Sequence, residues 1–108
     1  MKNEIGIKTR KAIINKEKLK KAIAVLDALD NPFRERVMKY VQDHPKSTVT
    51  SIIKGVKKVQ SFVSKHLKVL RVTNFLTNTK KGKEVHYSVN EQKIIDTNKA
   101  IEILLKTN

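Results

Sequence analysis

Apolar residues settle into a helical rhythm after Asn15: Leu19, Ala22, Ile23, Leu26 and Leu29 recur every three or four positions over about four turns. Asn15 suits the cap of such a helix, because its side chain can accept a hydrogen bond from a first-turn backbone N–H. Asp30-Asn31-Pro32 then supplies turn residues, a second capping candidate and a proline fitted to the first position of a new helix. That helix, roughly 32 to 43, turns Phe33, Val37, Tyr40 and Val41 inward. His44-Pro45-Lys46-Ser47 breaks the rhythm, and Ser47 or Thr48 can cap a short third helix carrying Val49, Ile52 and Ile53. A turn is expected over Gly55 to Lys58, then a fourth helix over about 59 to 72 that Asn74 ends.

The fourth helix has two chemically opposite sides. At about 100° per residue, Val59, Phe62, Val63, His66, Leu67 and Leu70 share one arc, while Gln60, Ser61, Ser64, Lys65, Lys68 and Arg71 share the other. Beyond it the period changes from helical to alternating. Phe75 to Thr79 and Glu84 to Val89 flank Lys80-Lys81-Gly82-Lys83, and Val85, Tyr87 and Val89 alternate with His86 and Ser88, which predicts a β-hairpin. Asn90 caps a fifth helix reaching Lys106, with Ile94, Ile95, Ile101, Leu104 and Leu105 on a broad apolar side. The fold class expected is mainly α with a small β-hairpin: two short helices joined by a turn, a basic hairpin and a closing helix make a winged helix-turn-helix. Residues 1–14 are basic and polar without a clean period and read as an arm preceding one domain over 15–108.

Charge gives the polar arc its meaning. The chain of 108 residues has 24 Lys and Arg against 10 Asp and Glu, a formal charge of +14 that favours a polyanionic partner through counterion release. No acidic residue occurs between Val56 and Lys83, whereas an ordinary solvated face mixes signs. The arc can therefore lie in the major groove. Gln60 can pair bidentately with adenine, Ser61 and Ser64 are less selective, and Lys65 can reach guanine or phosphate. Lys68 and Arg71, nearer the helix end, suit backbone contacts that position without specifying. Lys80, Lys81 and Lys83 at the hairpin suit a neighbouring minor groove or phosphate, although lysines there also keep a sheet edge soluble.

Composition excludes other chemistry. With no cysteine there is no disulfide, thiolate metal site or thiol switch. Three scattered glycines build no phosphate-cradling loop. His44, His66 and His86 are not gathered by any ligand spacing, and His66 reads as a packing residue on the edge of the buried arc. No catalytic triad or carboxylate pair is suggested, so neither an enzyme nor a cofactor is expected. No apolar run approaches a membrane span and the first residues do not form a signal peptide, which points to the cytoplasm. The first and last helices carry apolar sides longer than so small a core needs. One can cover the other, or Leu19, Ile23, Leu26, Ile94, Ile101, Leu104 and Leu105 can form a two-fold dimer interface, setting two recognition helices roughly 34 Å apart. A non-specific architectural or RNA-binding protein and a protein-interaction module are the alternatives; the aromatic residues read mostly as core, which disfavours RNA.

Three motifs in order resemble the ArsR/SmtB family of bacterial winged-helix repressors, over roughly residues 20 to 106. Ala28-Leu29-Asp30-Asn31-Pro32-Phe33-Arg34 is similar to the family's Ala-Leu-Ala-Asp-Pro-Thr-Arg junction. Gln60-Ser61-Phe62-Val63-Ser64-Lys65-His66-Leu67-Lys68-Val69-Leu70 is similar to its Gln-Ser-x-Val-Ser-x-His-Leu-x-x-Leu recognition helix, and Lys81-Gly82-Lys83 with Tyr87-Ser88-Val89-Asn90 to its wing and exit. The resemblance implies a homodimer that binds an imperfect palindrome in a promoter and represses until an inducer arrives. It supplies no inducer. Where members sense metals through cysteines of the third helix, this chain has Thr50-Ser51-Ile52-Ile53; where others use Asp-x-His of the last helix, it has Asp96-Thr97-Asn98. Lys57, Lys58 and Val59 also depart from the family's usual turn.

Overall fold

A computed structural model describes residues 15–106; the basic arm expected over 1–14 lies outside the described residues. The element order is α1 (Lys16–Leu29), α2 (Pro32–Asp43), β1 (Ser47–Thr48), α3 (Val49–Val56), α4 (Gln60–Val72), β2 (Leu76–Lys81), β3 (Glu84–Val89) and α5 (Glu91–Lys106). The winged helix-turn-helix architecture is therefore as expected. Local chemistry sets most helix starts. Asn15, Asn31, Thr48 and Asn90 accept hydrogen bonds from the backbone N–H groups of Lys18, Arg34, Ser51 and Lys93, at 3.0–3.2 Å.

The core is built where these elements converge. Val37 and Val41 of α2, Ile52 and Val56 of α3, and Val63, Leu67 and Leu70 of α4 are buried together with Ala28, Phe75, Leu76 and Tyr87. Phe33, Tyr40, Val49 and Ile53, expected to face inward, are only partly buried against this cluster. Because α2 crosses both α3 and α4, it holds the helix-turn-helix pair from behind. Two of its arginines reach the ends of neighbouring helices: Arg34 donates to the carbonyls of Ala28 (2.7 Å) and Asp27 (3.2 Å), and Arg36 to that of Val56 (2.7 Å). Cations are favoured at helix C-termini, where carbonyls lack intrahelical partners.

Several details differ from the sequence expectation. Gly55 is not part of the turn; it lies inside α3, where an added Cβ would stand 2.1 Å from Cε1 of Tyr40, so the ring occupies the space a side chain would need. The turn is instead Lys57-Lys58, with Lys57 in the left-handed region at φ 56° and ψ 48°. Val59 does not join the packed arc of α4, for it is the N-cap and 69% exposed. Phe75 precedes the hairpin rather than opening it, fully buried. A third strand, β1, went unpredicted because two residues carry no period; it pairs antiparallel with β3, Ser47 opposite Tyr87, in the order β1-β3-β2. His86 is not exposed but partly buried beside β1, its Nδ1 3.0 Å from the Lys46 carbonyl oxygen and its Nε2 3.3 Å from Glu84.

α4 ends in a way that fixes the wing. Asn74 takes the left-handed conformation at φ 67°, its N–H donates to Arg71 and that of Phe75 to Leu70, the pattern of a Schellman cap. Asn90 then donates from Nδ2 to the Asn74 carbonyl (2.9 Å) and from its backbone N–H to that of Phe75 (2.9 Å). The base of the hairpin is thus bonded to the end of α4.

Candidate nucleic-acid interface

α4 separates its two faces as its periodicity requires. Val63, His66, Leu67 and Leu70 are buried, while Gln60, Ser61, Ser64, Lys65, Lys68 and Arg71 are all exposed. The helix is anchored by an uncommon pair. Arg34 approaches His66 through Nη1, 3.2 Å from Nδ1. A guanidinium has no lone pair to offer, so Nδ1 must accept, and the imidazole is neutral with its proton on Nε2. The ring also lies edge-on to Phe33 (5.1 Å) and Phe62 (4.7 Å). Burial, then the charge of Arg34, then that of Lys65 hold the His66 pKa below its ordinary value of about 6.5. His66 is therefore the packing residue that its position suggested. Arg34 was not singled out for this role, because the 32 positions separating it from His66 leave no local signal.

Phe62 sits where the two faces meet. It packs on Phe33 at 4.8 Å, while Lys58 and Lys65 place their ammonium groups 5.9 and 5.6 Å from its ring centroid. Lys65, a proposed reader, is thereby tethered over an aromatic surface.

In the wing, Lys81 pairs with Glu84, leaving Gly82-Lys83 as a two-residue tip. Gly82 has φ +63°, which the first central position of such a tip requires and which a side chain would strain. Lys80 and Lys81 thus belong to β2, not to the turn, and successive strand residues point to opposite faces. All three lysines are exposed, but they do not form one cluster.

No family model matches the chain. The transcriptional repressor PagR of Bacillus anthracis is 33% identical over 70 residues, 65% of this chain and 70% of that protein. Its crystal structure superposes with a TM-score of 0.63 at 28% identity, covering 83% of this chain and 99% of PagR. This chain belongs to the ArsR family of winged helix-turn-helix transcriptional regulators. The fold is shared more widely: an ArsR-like regulator from Rhodococcus sp. RHA1 aligns with a TM-score of 0.72 at 18% identity over 82% of each chain. HlyU from Vibrio cholerae N16961 aligns with a TM-score of 0.61 at 25% identity over 83% of this chain and 94% of its own.

Within this ArsR protein, the outer helices show the second feature that the sequence singled out. Leu19, Ile23 and Leu26 of α1 and Leu104 and Leu105 of α5 are exposed, Ile23 at 56% and Leu105 at 73%, and Ile95 and Ile103 join them. Ile94 packs against the core and Ile101 is half-buried, so these two contribute less to the open face. α1 and α5 border one groove, lined by Ala22, Val25 and Leu26 of the first and Thr97, Ala100 and Ile101 of the second, yet much of their apolar surface stays exposed. Among the described residues no helix is long and apolar enough to cross a membrane, and no three His, Asp or Glu side chains group as metal ligands. Asp96 accepts from Gln92 at 2.8 Å, and the Thr97 hydroxyl donates to the carbonyl of Lys93.

Proposed function

We propose that this ArsR-family regulator is a sequence-specific repressor that binds double-stranded DNA as a homodimer in the cytoplasm, under a signal other than a metal ion. The observation that carries this reading is α4, which buries its apolar arc and leaves six polar or cationic residues open on a face without a carboxylate. Gln60 reads a base edge, Ser61, Ser64 and Lys65 complete the groove contact, and Lys68, Arg71, Lys80, Lys81 and Lys83 hold phosphates. PagR, at 33% identity, is a transcriptional repressor, which supports the same direction of control. The open apolar sides of α1 and α5, with Leu19, Ile23, Leu26, Leu104 and Leu105 exposed and Ile94 and Ile101 partly so, support pairing with a second copy, as does the homodimeric winged-helix domain of Mycobacterium bovis that shares the fold. A single small winged domain makes few base contacts, and pairing two of them doubles the site.

Gel shifts on DNA from its own promoter test this. Binding should saturate and resist random competitor DNA; equal affinity for every duplex would remove the claim of specificity. Gln60→Ala should narrow the gap between promoter and random DNA, whereas Lys81→Ala should weaken both alike. Ile23→Glu should give a monomer by sedimentation that has lost promoter affinity.

A further inference from the structure

The turn between α3 and α4 concentrates positive charge in a conformation that folding alone does not favour. Lys57 stands in the left-handed region, which disfavours a residue with a Cβ and which glycine enters freely. The neighbouring case is different: Asn74, at the end of α4, is a residue type that tolerates this region, and Gly82 needs no tolerance. Lys46 shares the conformation but is fastened by its backbone, whose N–H donates to Ser88 Oγ at 3.3 Å and whose carbonyl lies 3.0 Å from the His86 ring. Among the described residues Lys57 has only the backbone bond of its cap, to Ile53 at 2.9 Å.

Lys54, Lys57 and Lys58 line one shallow groove of about 460 Å³ with Ile53, Val59 and Phe62. Lys39 pairs with Asp43, but among the described residues no carboxylate pairs with Lys54, in the last turn of α3, or with Lys57 and Lys58. The α3 dipole favours cations here, which accounts for Lys54 and offsets part of the backbone cost at Lys57. It gives no reason for a third like charge at Lys58. Phe62 supplies a directional clue, since its ring carries Lys58 beside Lys65 and so joins the turn to the face of α4 that meets the bases.

We propose that this groove lies along the phosphate backbone of the duplex, with Lys54, Lys57 and Lys58 each placed against a phosphate, so that this edge of the helix-turn-helix is a third DNA contact beside α4 and the wing. This rests on the DNA-binding reading above. Phosphate contacts position a protein without specifying sequence, and each contributes about 0.9 to the slope of log affinity against log salt.

The test is fluorescence anisotropy with a labelled duplex from the chain's own promoter and a random duplex of equal length, from about 50 to 200 mM salt. Lys57→Gly should raise the melting temperature or leave it unchanged, yet weaken both duplexes severalfold and flatten the salt slope by about one. Replacing Lys54, Lys57 and Lys58 together by Gln should flatten it by two to three such steps. Lys99→Gln, on exposed α5, removes the same charge remotely and should leave the slope alone. An unchanged slope in Lys57→Gly, or an equal loss in Lys99→Gln, overturns the proposal while DNA binding stands. If the unaltered protein binds neither duplex, the functional reading itself fails.

Discussion

Two helix junctions in this protein are built on opposite terms. Between α1 and α2, Asn31 caps, Pro32 occupies the first turn, and Arg34 closes the α1 carbonyls before reaching His66 on α4. Between α3 and α4, a lysine adopts a left-handed conformation and a β-branched valine takes the N-cap without any side-chain hydrogen bond. The first joint holds α4 from its buried side, and the second is on the side proposed to meet DNA. Hydrogen bonds and packing hold α4 on its inner side, and residue types that folding would not select stand at the exposed start of α4.

Removing the inner joint should have the largest effect. Arg34→Ala deletes the bonds to Ala28, Asp27 and His66, and chemical denaturation should report a loss of about 2–3 kcal/mol, since hydrogen bonds to charged groups are the stronger kind. A loss comparable to that of an exposed lysine would mean that the two junctions are not distinguished as described.

Gly55→Ala probes the packing behind the outer joint. Alanine normally stabilises a helix interior by about 0.5–1 kcal/mol over glycine, but here its Cβ meets the Tyr40 ring, and a net loss of about 1–3 kcal/mol is expected. The same change in a Tyr40→Ala background should turn from harmful to helpful, which melting curves of the four proteins can show.

Val59→Asn repairs the outer joint. An asparagine able to cap α4 should add about 1 kcal/mol to stability, and gel shifts would show whether the open valine had served DNA. A smaller but informative effect concerns acid. Because the folded pKa of His66 is lowered, the unfolded chain binds the extra proton first: stability is whole above about pH 6.5 and declines as pH falls toward the lowered folded value. Melting temperatures between pH 7.5 and 5.5 should fall more steeply in the unaltered protein than in His66→Gln.

Helix starts were legible because a cap is a contact three residues long: Asn15, Asn31 and Asn90 were each assigned on that ground, and each accepts its bond. The division of α4 into buried and open arcs was legible for the same reason, since period alone decides it. β1 was not, because two residues gain their strand identity only from Tyr87 and His86 some forty positions away. Nor was the place of Gly55, which looked like a turn glycine until Tyr40 was seen to fill the space beside it.

By itself the sequence determined which residues can form helices, where these begin, which side of α4 is polar, and that no carboxylate interrupts the charge from Val56 to Lys83. These follow from chemistry confined to a few neighbouring positions. Tertiary structure alone decided that Arg34 and His66 meet, that Val59 stands clear of the core, and that Lys54 of α3 and Lys57 and Lys58 of the turn share a groove with Phe62. Such pairings depend on how helices cross, and a crossing is set by the fit of whole surfaces that no local pattern encodes.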